Sequence, residues 1–242
     1  MLGIITVAAH EDERLGRTLT SVANLSDEVE HLVVVPHDDL ATIAFVENFL
    51  ITKPRNTRLI NDKSHGIYQA MNEGIRASES THLIFLNAGD EIKDSEAFSE
   101  FSFELTISDA LWGICAAEIE WGARNIRTLD ELNRFLRQEN KFFLSHQSIA
   151  FQNRQLFQFG GYDTKFQVAG DTDLIYKFAK IDTPIFVDKT VVRVEQPNFA
   201  SRNNRRGRFE TLRILFAQSF TKSKYVAITK FTMRELFALM GG

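Results

Sequence analysis

Up to Asp90, apolar positions alternate between two rhythms. Short unbroken runs rich in β-branched residues form the first: Ile4-Ile5-Thr6-Val7-Ala8-Ala9, His31 to Pro36 (HLVVVP), Arg58-Leu59-Ile60 and His82 to Leu86 (HLIFL). Such runs, bounded by polar residues, predict strands buried on both faces. Between them the spacing relaxes to the helical period. Leu15, Leu19, Val22 and Ala23 share one face of a helix over 14–25, and 40–51 and 67–77 read as further helices. Strand and helix in alternation predict an α/β fold with a mostly parallel central sheet flanked by helices.

Beyond Asp90 the rhythm changes. Helices are expected over 96–105, 129–138 and 172–180, and strands over 110–120, 148–151, 185–187 and 190–194. From Arg208 to Met240 apolar residues keep helical spacing: Phe209, Leu212, Leu215, Phe216 and Phe220, then Val226, Ile228, Phe231, Leu236 and Phe237. Two C-terminal amphipathic helices are predicted there. The chain thus divides into a domain over 1–200 and an extension over 201–242.

Charge sharpens that division. From Arg202 onward nine Lys or Arg face two Glu, a local +7, which leaves −11 on the remainder and −4 overall. A basic amphipathic segment fits attachment to an anionic membrane surface, or helices packed on the domain with solvated charges. The weak overall acidity argues against non-specific nucleic-acid binding by the whole protein. At 242 residues and 44% hydrophobic, the chain can bury a core without staples. Its one cysteine, Cys115 in LWGICAAEI, excludes a disulfide framework or cysteine zinc cluster and reads as a core residue. The opening MLGIITVAAHEDER lacks a basic stretch before its apolar run, unlike a secretory signal, and no apolar stretch reaches the roughly 18 residues of a membrane span. A cytoplasmic location is the expectation.

Candidate chemistry follows from the strand ends, because open parallel sheets bind ligands at their carboxyl edge. Four segments should converge there: Ala8-Ala9-His10-Glu11, Pro36-His37-Asp38-Asp39, residues 61–66, and Asn87-Ala88-Gly89-Asp90. Small neighbours at Ala88 and Gly89 would let a diphosphate and a metal approach the backbone. A lone carboxylate such as Asp90 can hold Mg2+ or Mn2+ when substrate phosphates supply other ligands; a turn or capping aspartate is the alternative. Asp171 and Asp173, in VAGDTDLIYKF, read either as helix-capping acids or as the source of a general base. His146-Gln147 precedes a strand and reads as an acceptor-orienting pair or as structural. No G-x-S-x-G, G-x-G-x-x-G or P-loop is present, which disfavours a serine hydrolase, a dinucleotide enzyme and a P-loop NTPase.

Taken in order, these segments resemble the family 2 glycosyltransferases of the GT-A fold, most of all the bacterial subgroup that builds capsular, exopolysaccharide or lipopolysaccharide sugars. IITVAAHEDERLGRTLTSV is similar to the family's opening strand, loop and helix. HGIYQAMNEGI resembles its G-I-Y-D-A-M-N-x-G-I, and HLIFLNAGDEI its strand and metal-binding L-N-x-D-D. HQSIAF and FGGYDTKFQVAGDTDLIYKF resemble its acceptor-side segments. The resemblance spans roughly 1–200 and implies a GT-A nucleotide-diphospho-sugar transferase fold, a divalent metal (Mn2+ or Mg2+), a nucleotide-diphosphate sugar donor and a saccharide or lipid-linked acceptor.

Carried over by position, Thr6 and Ala8 would line the nucleotide base. Tyr68 and Asn72 would flank the donor pocket, and Asn87 and Ala88 would lie against ribose and diphosphate. Asp90 would ligate the metal, His146 and Gln147 would border sugar and acceptor, and Asp171 would be the catalytic base of an inverting transfer. Four positions depart from the family pattern: Pro36 where an aspartate usually follows the second strand, with Asp38 or Asp39 as substitute; Ser64 where an acid usually contacts the base; Gly89 for the first aspartate of the pair; and Gln69 for an aspartate. The altered base-contacting positions motivate a second reading, a non-catalytic binding or scaffold subunit, which retention of Asp90 and Asp171 opposes. A nucleotidyltransferase would want an Arg- or Lys-bearing glycine loop that AAHEDERLG lacks.

Overall fold

In the computed structural model, residues 1–9, 13–52, 56–64, 66–119, 125–137, 144–195 and 204–217 are described. Four parallel strands form half of the sheet: β1 (Leu2–Val7), β2 (His31–Pro36), β3 (Thr57–Asp62) and β4 (His82–Asn87). Their residues alternate between faces, as strand geometry requires. In β4, Leu83 and Phe85 enter one core with Ile5, Leu32 and Val34, while Ile84 and Leu86 enter another with Leu2 and Ile4. Burial of both faces explains why these strands read as continuous apolar runs.

The connecting helices are α1 (Glu13–Ala23), α2 (Leu40–Thr52) and α3 (Ile67–Ala77). Helix α3 lies so close to β1 that a Cβ at Gly74 would stand 2.6 Å from Ile5 Cγ2. The second half of the sheet adds β5 (Glu91–Ile92), β6 (Trp112–Ile119), β7 (Ile149–Gln152) and β8 (Ile185–Val194), giving the order β3-β2-β1-β4-β7-β6-β8-β5. β7 runs antiparallel to both neighbours, and β5 antiparallel to β8. Around this half lie α4 (Ser95–Ile107), α5 (Leu129–Leu136), α6 (Asn153–Gln158), α7 (Gly170–Ile181) and α8 (Asn204–Ala217).

The predicted elements are found with small shifts, and the differences have local causes. The two short strands expected over 185–194 are one strand whose register slips against β6 between Cys115 and Ala117, so Asp188 and Lys189 bulge out. β5 and α6 are too short to leave a periodic signature. Of the two predicted C-terminal helices, the first begins at Asn204 and packs on the body through Ile214 and Leu215. Its Glu210 carboxylate accepts the backbone N–H groups of Gln167, Val168 and Ala169. The second falls outside the described residues, as do His10, Glu11 and His65. Among the described residues no helix is long and apolar enough to cross a membrane.

Candidate active site

A cleft of about 340 Å³ opens at the carboxyl ends of β1 and β4. This is where the strand order reverses direction, the place open α/β sheets reserve for ligands. Val7, Ala8 and Ala9 line it from one strand end, Asn87, Ala88 and Asp90 from the other. Pro36 and Asp62, register partners at the ends of β2 and β3, close one side, and Arg14 and Glu195 line it as well.

Asp90 is buried, 3% exposed. Its Oδ2 accepts the Asn87 N–H at 3.0 Å and the Gln147 Nε2–H at 2.6 Å, and its Oδ1 accepts the Glu195 N–H at 3.0 Å. Burial pushes its carboxyl up from the ordinary range, against the pull of Gln147, the Asn87 N–H, His146 and the Glu195 N–H. Among the described residues no Lys or Arg pairs with it. The three donors that fix it are neutral, so ionised Asp90 brings a nearly uncompensated charge to the cleft. Gly89, beside it, has φ 105°, and a Cβ there would lie 2.2 Å from Glu195 Oε2. The space that an aspartate would need at position 89 is filled by the Glu195 carboxylate.

Asp171 sits in the first turn of α7, where its Oδ1 accepts the Thr172 N–H at 2.7 Å. Its Oδ2 lies 3.6 Å from His146 Nδ1, and His146 Nε2 lies 3.5 Å from the Asn87 side-chain nitrogen. Burial pushes the Asp171 carboxyl up and His146 pulls it down. His146 and Gln147 share one 3₁₀ turn (His146–Ser148), so adjacent residues address both acids: Gln147 bonds Asp90 and His146 faces Asp171. The companion acid Asp173 is spoken for by Lys177 Nζ at 2.8 Å, one helical turn on.

Several expected donor contacts have other partners. Thr6 is fully buried and its hydroxyl meets His31 Nε2 at 2.9 Å, so it lies beneath the cleft rather than in it. Asp39 caps α2, accepting the Thr42 N–H at 3.1 Å and hydroxyl at 2.7 Å. Ser64 donates its N–H and hydroxyl to Asp62 Oδ1 and does not line the cleft. The Tyr68 hydroxyl donates to Val168 O at 2.8 Å and accepts from the Gly170 N–H at 2.9 Å. Asn72 binds Tyr162 through both backbone groups. Tyr68 and Asn72 therefore tie α3 to the segment before α7, and the Tyr68 hydroxyl also lies close enough to Asp171 to feel its charge. Gln147, expected against the acceptor, is 2% exposed and lies under Asp90.

Arg14 and Glu195 were missed by sequence reasoning, and Asp62 was reached only as part of the segment 61–66. Asp62 was within reach: the third strand runs two residues past Ile60, and its end places a carboxylate beside Pro36. Glu195 left no local signal, because only the fold brings it to Asp90.

A sequence profile described as glycosyl transferase family 2 matches residues 3–156. An uncharacterised glycosyltransferase of Mycobacterium tuberculosis (strain H37Rv) is 24% identical over 200 residues, covering 77% of this chain and 71% of that protein. A PGL/p-HBAD biosynthesis glycosyltransferase of Mycobacterium bovis (strain BCG) is 27% identical over 118 residues, 46% of this chain and 43% of that one. Two solved structures share the fold, which is that of the GT-A transferases. S. aureus TarS 1-349 in complex with UDP-GlcNAc has a TM-score of 0.71 at 14% identity, over 96% of this chain and 71% of that chain. The mannosyltransferase PcManGT from Pyrobaculum calidifontis, in complex with GDP-Man and Mn2+, has a TM-score of 0.70 at 16% identity, over 96% and 68%.

Proposed function

This chain belongs to glycosyl transferase family 2, and from that premise we propose that it moves a sugar from a nucleotide-diphosphate donor to a hydroxyl of a saccharide or lipid-linked acceptor, inverting the anomeric carbon, in surface-polysaccharide synthesis. The observation that carries the reading is the single turn at His146-Gln147, which bonds Asp90 of the cleft lining through Gln147 and faces Asp171, from a distant part of the chain, through His146. The nucleotide sugars bound by TarS and PcManGT support the donor class.

Asp171 acts as the base. It takes the proton of the acceptor hydroxyl as that oxygen bonds to the anomeric carbon, on the face opposite the departing diphosphate. The donor carbon–oxygen bond breaks in the same displacement. A carboxylate with a raised pKa suits proton abstraction near neutral pH. His146 orients Asp171 from the side of Asn87 and the cleft.

Asp90 fits a divalent cation, since among the described residues its buried carboxylate is held by neutral donors. No three His, Cys, Asp or Glu side chains among the described residues gather into a full ligand set, so donor phosphates and water would complete it. When bound, such an ion stabilises charge on the departing nucleoside diphosphate. Residues 1–200 form the transferase domain in this reading. The basic segment over 201–242 docks it on the inner face of an anionic membrane.

The test is a thermal-shift panel of UDP-, GDP-, dTDP- and CMP-sugars, with and without Mn2+. A ligand at about 100 times its Kd stabilises by about 2.7 kcal/mol. One nucleotide class should raise the melting temperature in a Mn2+-dependent way, and Asp90→Ala should abolish the effect. Folded protein that responds to no donor would overturn the reading.

A further inference from the structure

Two guanidinium groups converge on one carboxylate inside the cleft. Glu195 Oε2 accepts from Arg14 Nε, and its Oε1 accepts from Arg17 Nη2 at 2.6 Å. Arg14 Nη2 also donates to Ala88 O at 3.0 Å, which fixes its head over the Ala88-Gly89-Asp90 turn. The Glu195 backbone N–H is bonded to Asp90, and the missing side chain of Gly89 leaves the room that the Glu195 carboxylate fills. Arg14 and Glu195 both line the cleft, and the Arg14 side chain is 41% exposed.

An anion held by arginines at the mouth of a diphosphate site occupies the place and the hydrogen bonds that a phosphate would want. Resting on the donor reading above, we infer that Glu195 is an internal stand-in for the donor diphosphate, and that Arg14 is a diphosphate-binding residue which exchanges Glu195 for the incoming nucleotide. Apparent donor affinity is then reduced by the fraction of molecules in which Glu195 holds Arg14. The geometry of the turn is kept whichever anion is present, because the Glu195 N–H and not its side chain secures Asp90.

Titration calorimetry with UDP, GDP and dTDP, in EDTA and again in Mn2+, tests this on the full chain. Glu195→Gln keeps the side-chain shape and removes the charge. It should tighten binding of the preferred nucleotide in EDTA by about fivefold or more. Arg14→Ala should weaken it by about tenfold, the loss of one charge-assisted contact. In the double variant Arg14→Ala/Glu195→Gln, the gain from Glu195→Gln should vanish. Melting temperatures confirm that each variant folds. A nucleotide that binds the native chain but is bound equally or more weakly by Glu195→Gln overturns the stand-in. So does a gain that survives without Arg14. Failure of all three nucleotides to bind any of these proteins, with or without Mn2+, instead overturns the donor reading and the inference with it.

Discussion

Glu30 and Asp90 are both buried carboxylates on the parallel half of the sheet, Glu30 at the amino edge just before β2 and Asp90 at the carboxyl edge just after β4. Glu30 accepts from Arg58 Nη2 at 2.7 Å, from the Ser78 and Ser80 hydroxyls at 2.5 and 2.8 Å, and from the N–H groups of Glu79 and Ser80. Burial opposes its ionisation, but these donors prevail and hold the carboxyl below the ordinary range. Among the described residues Asp90 has three neutral donors and no guanidinium, and there burial prevails. The same chemical group thus ties the fold together at one edge and leaves a charge seeking a partner at the other. Here the edge that open α/β sheets reserve for ligands is also the one whose buried carboxylate is pushed above the ordinary range.

The largest effect should come from the carboxyl edge. Asp171→Asn should lower donor-saturated turnover by about 10²- to 10⁴-fold, the usual contribution of a general base. Nucleotide affinity and melting temperature should hardly move. Near-native turnover would remove Asp171 from the chemistry. At the amino edge the effect should be on stability alone. Glu30→Gln leaves Arg58 and several N–H donors poorly served and should cost about 2–3 kcal/mol, discounted because half of Arg58 meets solvent. For a chain of this size that is a melting-temperature loss of roughly 4–12 °C. Because the folded pKa of Glu30 is depressed, its contribution is present above the unfolded value and is lost as pH falls through the folded one. Calorimetry between neutral and acidic pH should therefore show native and variant curves converging at low pH. A parallel pair of curves would mean that the ionised carboxylate is not what the donors hold.

The sheet was largely legible in the sequence, because periodicity and buried apolar runs are local signals, whereas the Glu30 tie at the amino edge, with partners 28 to 50 residues away, was not. The whole of HLIFL entered the core as read. At the carboxyl edge the legible part was the resemblance-borne pair Asp90 and Asp171, together with the small residues Ala88 and Gly89. What lay hidden was which polar side chains face the cleft and which serve the scaffold. Thr6, Tyr68 and Asn72 have hydrogen-bond partners chosen by tertiary approach, and in Tyr68 the partners are 100 and 102 residues away. Glu195 was hidden for the same reason, since its meeting with Asp90 spans 105 residues. A one-dimensional pattern records which residues could do chemistry, and the fold decides which are left free to do it.

A smaller effect would sharpen the carboxyl edge itself. In the proposed mechanism Asp171 must be ionised to take the proton, so turnover should rise with pH through its raised pKa. His146 pulls that value down. His146→Gln should therefore move the rising limb of the pH–rate profile to higher pH, while leaving nucleotide binding in place. A limb that stays put would show that His146 does not set the charge of Asp171.

The smallest effect carries the sharpest contrast with Glu30, because its sign is opposite. The folded pKa of Asp90 lies above the ordinary carboxylate value. Between those two values the folded chain keeps a proton that the unfolded chain has released, so stability falls as pH rises through that window. At neutral pH the ionised Asp90 is a cost to the metal-free fold. Asp90→Asn removes the charge, and its carbonyl can still serve Asn87 and Gln147; its amide meets the Glu195 N–H, which offsets part of the gain. In EDTA the variant should match the native melting temperature or exceed it by up to about 1 kcal/mol equivalent, with the difference closing as pH falls and Asp90 takes up its proton. Mn2+ with nucleotide should then stabilise the native chain and not the variant. If Asp90→Asn instead unfolds as readily as Glu30→Gln, the two edges are built alike, and Asp90 is a structural tie rather than a charge kept in reserve for a cation.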